Sequence, residues 1–222
     1  MNEELEAKKV GMKMPFSIAF GAIVALLVVS ASAETDIVWT GTPLTESSTS
    51  IHSKGTLRYA YARGNYTVNG VAFAAVGNKI INTDNCVVWE ASGGALDGQA
   101  SPPSGTEDGD YKSLLKYHWW ATAKSRKIQV KNLEVGKKYL VQIIASRNDS
   151  ACATYTATAP DGVTVVKYTG TGWEYGSSLT GEFTADADNV EFTIAYGGNH
   201  CVINAIQVRE LPKSDGAILV CK

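Results

Sequence analysis

Two short stretches of this sequence concentrate the aromatic residues that could contact a ligand. YHWW at residues 117–120 places four rings in a row, in a chain with five tryptophans in total. GTGWEYG at residues 170–176 places a tryptophan and a tyrosine between glycines, which is typical of a surface loop. Indole and phenol faces offer a large, rigid area with a polar edge, so exposed rings here would suit a shallow sugar-binding site.

The orientation of the two adjacent tryptophans depends on the element that carries them. Apolar residues at helical spacing predict one inward helix face, made of Tyr111, Leu114, Leu115, His118 and Trp119. In that helix Trp120 lies about 100° from Trp119 and shares its side with Tyr117. In a strand the two tryptophans would also point to opposite faces. We therefore expect Trp119 in the core and Tyr117 and Trp120 at a ligand surface; the alternative, with both tryptophans packed under loops, stays open.

Polar side chains that suit sugar hydroxyls follow the most apolar strand-like run, YLVQIIA. Arg147, Asn148 and Asp149 come directly after it and supply hydrogen-bond donors and acceptors. Trp173 and Tyr175 are further candidate ligand contacts, because binding residues are often on loops carried by a rigid scaffold. The alternatives are a turn that Asn148 and Asp149 cap themselves, and a loop that folds Trp173 over the end of a sheet.

Three carboxylates precede the predicted helix and could supply oxygen ligands to calcium. Glu107, Asp108 and Asp110 lie close in sequence, although their spacing does not fit an EF-hand loop. The alternative role of Asp110 is to cap the helix, because its carboxylate can accept the N–H groups of the first turn. A structural calcium ion is one expectation here, and no other cofactor is expected.

Catalytic motifs are not recognisable in this sequence. The three histidines, His52, His118 and His200, are scattered, and no GxSxG, HExxH or CxxC motif is present. His200 adjoins Cys201, but neighbours on a strand point to opposite faces, so their adjacency does not make a catalytic pair. We therefore predict that the protein is not an enzyme.

The four cysteines are Cys86, Cys152, Cys201 and Cys221. An even number in an exported chain permits two disulfides in any of three pairings, and free buried thiols are the alternative. None belongs to a Cys/His cluster, so zinc is not expected. A Cys152–Cys201 bridge is favoured, because the loop after one predicted strand and the entry to another would meet at one end of an antiparallel sandwich.

The N-terminal region predicts export. Residues 15–29 are almost uninterruptedly apolar, follow three lysines and end in small residues. This pattern indicates a secretory signal peptide over residues 1–33, because the apolar run is too short for a membrane span. We expect cleavage after Ala33, a single domain over residues 34–222, and a secreted, periplasmic or cell-surface location.

Strand-like runs with turn signals between them dominate the rest of the chain. In GTLRYAYARG, alternate residues are apolar, as in a half-buried strand. Residues 91–109 are rich in Gly, Ser, Pro and Asp and predict a long surface loop. Because strands and helices do not alternate, we predict an all-β fold: a two-sheet antiparallel β-sandwich with one short helix.

The chain from about Gly55 to Leu211 resembles the galactose-binding-like jelly-roll domains of bacterial secreted proteins. The stretches that carry the resemblance are GTLRYAYARG, YTVNGVAFAA, GDYKSLLKYHWW, IQVKNLEVGKKYLVQIIASRND, GEFTADADNVEFTIAYGG and CVINAIQVREL. The resemblance implies a jelly-roll sandwich. Related folds are carbohydrate-binding modules and malectin-like domains, which hold sugars with loops at one end or with a concave sheet face.

These observations lead to two hypotheses about function. The first is a secreted, noncatalytic carbohydrate-binding module whose partner is a glycan or polysaccharide. The alternative is a structural or adhesive cell-surface protein that recognises protein rather than sugar. The net charge of −2 provides no basic field for nucleic acid or an anionic membrane, so we expect neither as a partner.

Overall fold

Alternation of apolar and polar residues produces β-structure in most of the chain that the structure describes. The structure is a computed structural model that describes residues 35–76, 81–88, 95–99, 101–102, 105–106, 109–121, 125–146, 154–158, 165–169, 176–196 and 201–212. The predicted signal peptide lies outside the described residues. The described residues all fall in one of the two units into which the chain divides, Ser32–Lys222.

The described residues form fifteen strands, one α-helix and a 3-10 helix at Ser48–Ser50. The bounds are β1 Val38–Pro43, β2 Thr56–Ala62, β3 Tyr66–Val68, β4 Val71–Ala75, β5 Cys86–Val88, β6 Ala95–Gln99, α1 Gly109–Lys116, β7 Tyr117–Ala121, β8 Ser125–Lys131, β9 Lys138–Ala145, β10 Thr154–Thr158, β11 Val165–Thr169, β12 Ser177–Thr184, β13 Asn189–Tyr196, β14 Cys201–Ile203 and β15 Ala205–Glu210. In this part of the chain no helix has the length and apolar character needed to cross a membrane.

Most strands lie in two large sheets. The seven-stranded sheet has the order β1-β12-β9-β15-β2-β4-β3, and the five-stranded sheet has the order β11-β10-β13-β8-β5. Neighbouring strands are antiparallel except β2 and β4, which are parallel. The sheets pack face to face: Trp39 of β1 and Phe192 of β13 have ring centroids 4.9 Å apart. The predicted all-β antiparallel sandwich with one short helix is confirmed.

A third, three-stranded sheet, β14-β7-β6, was not predicted. Its central strand, β7, carries the YHWW stretch and pairs antiparallel with both neighbours. The strand β6 lies inside the segment that the sequence predicted as a long loop. The aromatic cluster is therefore positioned by two non-local strand pairings.

The sandwich strands follow the predicted periodicity. In β13, alternate side chains are buried between the two large sheets: Val190, Phe192, Ile194 and Tyr196. The strand β9 is apolar on both faces, as a central strand should be. Its Ile143 belongs to the core between the sheets, whereas Ile144 belongs to a second cluster on the outer face of the seven-stranded sheet.

The helix α1 covers this second cluster but is shorter than the sequence predicted. The predicted inward side chains that lie within the helix are buried: Tyr111, Leu114 and Leu115. The prediction that the helix continues through Trp119 is wrong, because the helix ends at Lys116. Asn204 donates from Nδ2 to the carbonyls of Leu114 and Leu115, which satisfies acceptors that the end of a helix leaves open.

A buried polar network fastens the segment around the 3-10 helix to the outer face of the seven-stranded sheet. Gln142 of β9 donates to the Ser50 carbonyl at 2.8 Å and accepts from the His52 N–H at 3.0 Å. Gln207 of β15 donates to the His52 carbonyl. The guanidinium of Arg209 donates to three further carbonyls, those of Ser53, Lys54 and Gly55. Hydrogen bonds from these side chains, rather than apolar contacts, hold the segment where it crosses the sheet.

Two cysteines are described, and both are free, buried thiols. Cys201 has a free thiol, so the predicted Cys152–Cys201 bridge is not seen; Cys152 lies outside the described residues. Burial raises the pKa of Cys201 to about 12, against the opposing charge of Arg126. Burial likewise raises the pKa of Cys86 to about 12, and Lys131 opposes the increase. Both sulfurs therefore stay protonated and unreactive at physiological pH.

Alkylation should reveal this protection. With iodoacetamide at mildly alkaline pH, Cys86 and Cys201 should remain unmodified in the folded protein, because neither thiol is accessible or ionised. Both should be modified after guanidinium unfolding, and peptide mass spectrometry reads each cysteine separately. Modification of Cys201 at the same rate in folded and unfolded protein would contradict the buried position.

Candidate functional site

The strand β7 divides the YHWW side chains between two faces. Tyr117, Trp119 and Ala121 point to one face of the small sheet, and His118 and Trp120 point to the other. The predicted separation of the two tryptophans is thus confirmed, with Trp119 only 1% exposed. The expectation that Tyr117 and Trp120 share one surface is wrong, because it assumed a helix. Trp120 is half-buried and packs against the main core.

Tyr117 belongs instead to a partly exposed group that we call the tyrosine cluster: Arg63, Tyr66, Lys116 and Tyr117. The ammonium of Lys116 lies 5.2 Å from the centroid of the Tyr117 ring. The guanidinium of Arg63 lies 5.9 Å from the ring of the buried Trp119. Cations over aromatic faces at these distances are attracted by the negative face of the ring.

Tyr66 and Tyr117 are electrostatic neighbours. The pKa of Tyr66 is raised, mainly by burial and then by Tyr117, while Arg63 opposes the increase and Asp110 adds to it. The Tyr66 phenol is therefore neutral at physiological pH and available as a hydrogen-bond donor and acceptor. The cluster combines two apolar rings with two cations and two hydroxyl groups.

Local backbone features hold Tyr66 in place. At Gly64 a Cβ atom would lie 2.5 Å from the Tyr66 hydroxyl, so a larger residue there would require the phenol to shift. The carboxylate of Asp110 in the first turn of α1 accepts the Thr67 N–H at 2.8 Å. Asn65 accepts the Ala75 N–H at 2.9 Å. The first bond joins β3 to α1, and the second joins the chain just before β3 to the end of β4.

Tyr117 is held by Asn204, which is fully buried. Besides the two helix carbonyls, Asn204 Nδ2 donates to the Tyr117 carbonyl at 3.2 Å. Its Oδ1 accepts the Ser146 N–H at 2.6 Å. One amide therefore joins the end of α1, the start of β7 and the end of β9.

Several strands end at the same side of the sandwich as the tyrosine cluster. Ala62, the last residue of β2, is paired with Ala205, and Ala145, the last residue of β9, is paired with Ser177. Arg63 follows Ala62 directly. In sequence, the Ala145–Ser177 pair is flanked by predicted site residues that lie outside the described residues: Arg147, Asn148, Asp149, Trp173 and Tyr175.

The predicted metal ligands do not form a described site. Glu107 and Asp108 lie outside the described residues. Asp110 lies one residue inside α1, and its carboxylate joins the helix to Thr67. Among the described residues, no group of three or more His, Cys, Asp or Glu side chains could hold a metal ion.

Two grooves border the tyrosine cluster. One, of about 420 Å³, runs along α1 and is lined by Ser101, Pro102, Gly109, Lys112, Ser113 and Lys116. The other, of about 370 Å³, lies beside Tyr66 and Phe73. A larger groove of about 650 Å³ lies on the outer face of β1 and β12, but its lining includes no tyrosine or tryptophan. Of these three grooves, Tyr66 lines the one of about 370 Å³, and the groove along α1 meets the cluster at Lys116.

The sequence did not single out Arg63, Tyr66 or Lys116. Tyr66 lies just before the Asn-Gly turn at residues 69–70, and Lys116 precedes the YHWW stretch. The signal that could have found them is the adjacency of Lys116 to Tyr117. Tyr66 and Arg63 reach the cluster only through the pairing of β2, β4 and β3.

No family model matches the chain, and no curated protein matches its sequence. Among solved structures the chain is similar to β-glucuronidase 2 from Bacteroides uniformis, with a TM-score of 0.50 and 11% identity over 69% of this chain and 18% of that enzyme. The extracellular domain of ANXUR1 from Arabidopsis thaliana matches with a TM-score of 0.44 and 10% identity, over 69% of this chain and 42% of that one. An exo-β-1,3-galactanase from Phanerochaete chrysosporium matches with a TM-score of 0.30 and 16% identity, over 63% and 30%.

This chain thus spans less than a fifth of the length of the β-glucuronidase. At this identity the likeness is one of fold: a β-sandwich similar to one part of a larger carbohydrate-active enzyme. Because a fold alone does not define a function, a role for this chain has to follow from the side chains of the tyrosine cluster.

Proposed function

We propose that this protein is a secreted or cell-surface, noncatalytic carbohydrate-binding module, and that the tyrosine cluster is its binding surface. The observation that carries the proposal is the pair of partly exposed phenol rings, Tyr66 and Tyr117, bordered by Arg63 and Lys116 at the end of a β-sandwich. The rings would stack on the C–H faces of a sugar. The cations and phenol hydroxyls would bind its oxygens.

Rigidity supports this role. The backbone of β3 next to Tyr66 is fixed by the bond from the Thr67 N–H to Asp110, and the Tyr117 backbone is fixed by Asn204. A binding surface held in one geometry loses little conformational entropy when the ligand docks. The side chain of Trp120 lies on the opposite face of β7, so the second ring of the proposed surface is Tyr66 rather than Trp120.

The segments beyond the Ala145–Ser177 pair would extend the surface. Arg147 follows Ala145 by two residues, and Tyr175 precedes Ser177 by two. We propose that these segments carry the second group of ligand contacts, with Trp173 as a further ring. Calcium at Glu107 and Asp108 stays a separate hypothesis, tested by repeating binding measurements with a chelator.

The carboxylate in the described part of the tyrosine cluster has a structural contact. In the described part of the cluster the carboxylate is Asp110, which accepts the Thr67 N–H and so joins α1 to β3. Its position suits a structural function.

Removal of either ring should weaken sugar binding. A glycan array on the protein without residues 1–33 identifies a ligand, and calorimetry then gives its Kd. Tyr66→Ala and Tyr117→Ala should each raise Kd by about tenfold or more, because a stacked aromatic contact contributes about 1–1.5 kcal/mol or more. Tyr66→Phe and Tyr117→Phe should retain most of the affinity, since they keep the ring.

The control is Val135→Ala, which removes an apolar side chain that is 68% exposed in a turn at the other end of β9. It should leave Kd unchanged. If the protein binds no saccharide and instead captures a protein ligand, the alternative of a structural or adhesive surface protein replaces the proposal. Unchanged sugar affinity in both alanine variants would place the site elsewhere.

A further inference from the structure

Lys112 and Lys116, beside the tyrosine cluster, belong with Lys54 and Lys131 to the described lysines that form no ion pair with a described carboxylate. Lys127, Lys137 and Lys138 each pair with a carboxylate, those of Glu191, Glu210 and Glu182. No described carboxylate forms an ion pair with Lys112 or Lys116, although both line the groove along α1. These two ammonium groups retain donors that an anionic ligand could use.

The placement of these lysines carries a small energetic cost. Lys112 and Lys116 are four residues apart on α1 and therefore lie on the same side of the helix. Like charges at this spacing destabilise a helix by a few tenths of a kcal/mol. Lys116 in the last turn gains part of this back from the helix dipole, whereas Lys112 lies too far from that end. An anion bound between Lys112 and Lys116 would offset the repulsion between their charges.

Arg63 adds a third positive charge beside the rings of the tyrosine cluster. Its guanidinium lies against the Trp119 ring, and its effect on the pKa of Tyr66 places its charge near that phenol. The negative charge in the described part of the cluster is that of Asp110. The chain as a whole has a net charge of −2, whereas the described part of this surface has three cations and one carboxylate.

We infer that the tyrosine cluster binds an anionic saccharide, with the sugar ring on Tyr66 and Tyr117 and the acidic substituent held by Lys112, Lys116 and Arg63. This inference rests on the proposed carbohydrate-binding function and specifies its ligand class. A carboxylate and a sulfate are both anions that ammonium and guanidinium groups bind through charge-assisted hydrogen bonds. Saccharide probes that have either a carboxylate or a sulfate distinguish these two groups.

The test compares matched saccharides that differ in charge. Calorimetry measures binding of trigalacturonate against its methyl ester, and of dextran sulfate against dextran. The acidic member of at least one pair should bind about tenfold or more tightly than its neutral counterpart, and its Kd should rise with added salt. Preference within the first pair identifies a carboxylate ligand, and preference within the second identifies a sulfate.

Charge variants assign the preference to this site. Lys116→Gln should raise Kd for the preferred acidic probe about five- to tenfold, and Lys116→Arg should restore it. Lys138→Gln, which removes a lysine paired with Glu182 far from the cluster, is the matched control and should have no effect. Thermal melting confirms that each variant is folded.

The outcomes separate this inference from the proposed function. Equal binding of acidic and neutral sugars, with no effect of Lys116→Gln, would overturn the anionic ligand and leave carbohydrate binding intact. A charge preference that Lys138→Gln abolishes and Lys116→Gln does not would also overturn it. If none of the probes and no arrayed glycan binds, the proposed function itself fails.

Discussion

Trp119→Ala is expected to lower the free energy of unfolding by about 3–5 kcal/mol, the usual cost of emptying a buried aromatic site. Trp119 is 1% exposed and is among the largest fully buried side chains described. Its loss would also remove the ring against which the Arg63 guanidinium lies. The substitution therefore creates a cavity beside a cation that has lost part of its packing.

Trp120→Ala should cost clearly less, about 1–2 kcal/mol, because Trp120 is half-buried and retains contact with solvent. Removal of a fully exposed ring would change stability very little, and the packing of Trp120 against the main core raises the expected cost. Urea unfolding followed by far-ultraviolet circular dichroism compares the variants without relying on tryptophan fluorescence. Equal losses in the two variants would show that both rings are core residues.

The strands of the sandwich could be predicted because their period is local. β8 and β13 alternate polar and buried apolar residues, and the apolar strand β9 is covered on both faces. Each of these patterns is readable within eight residues. The fold class and the short helix follow from them without knowledge of which strands pair.

The YHWW stretch was assigned to a helix because local periodicity competes with tertiary structure. The apolar spacing of α1 continues by coincidence through Trp119, so the sequence has no local stop signal at Lys116. The stop comes from Asn204, nearly ninety residues later, and from the pairing of β7 with β6 and β14. The strand β6 itself lies in a Gly- and Ser-rich segment with no strand-like alternation.

The candidate site could be predicted only in part for the same reason. Tyr117 was found because aromatic residues are adjacent in sequence, but its neighbour Tyr66 lies on a different strand pair. Arg63 reaches the cluster because β2 ends beside the start of β15. A surface assembled from two distant segments leaves no short motif, and its members become apparent only when the strand order is known.

Asn204→Ala is expected to destabilise the fold by about 3–5 kcal/mol, although it removes only a small polar side chain. Asn204 is fully buried; its Oδ1 accepts the Ser146 N–H at 2.6 Å, and the two N–H groups of its Nδ2 are shared among three carbonyls at 2.8–3.3 Å. Alanine leaves the Ser146 N–H without its acceptor and removes both donors from the carbonyls of Leu114, Leu115 and Tyr117. Each unsatisfied buried group costs about 1–3 kcal/mol, and partial relaxation or an entering water molecule reduces the sum.

Asn204→Leu distinguishes lost hydrogen bonds from lost volume. Leucine fills the space but cannot bond the four backbone groups, so it should destabilise the fold about as much as alanine does. The control is Asn189→Ala, a half-buried asparagine at the start of β13, for which a loss below about 1 kcal/mol is expected. Urea unfolding gives the stability of each variant, and hydrogen exchange at the Ser146 amide reports the local opening. If Asn204→Leu restores wild-type stability, the amide fills space and does not join α1, β7 and β9; if both variants lose stability and the Ser146 amide exchanges faster, its hydrogen bonds hold the tyrosine cluster in position.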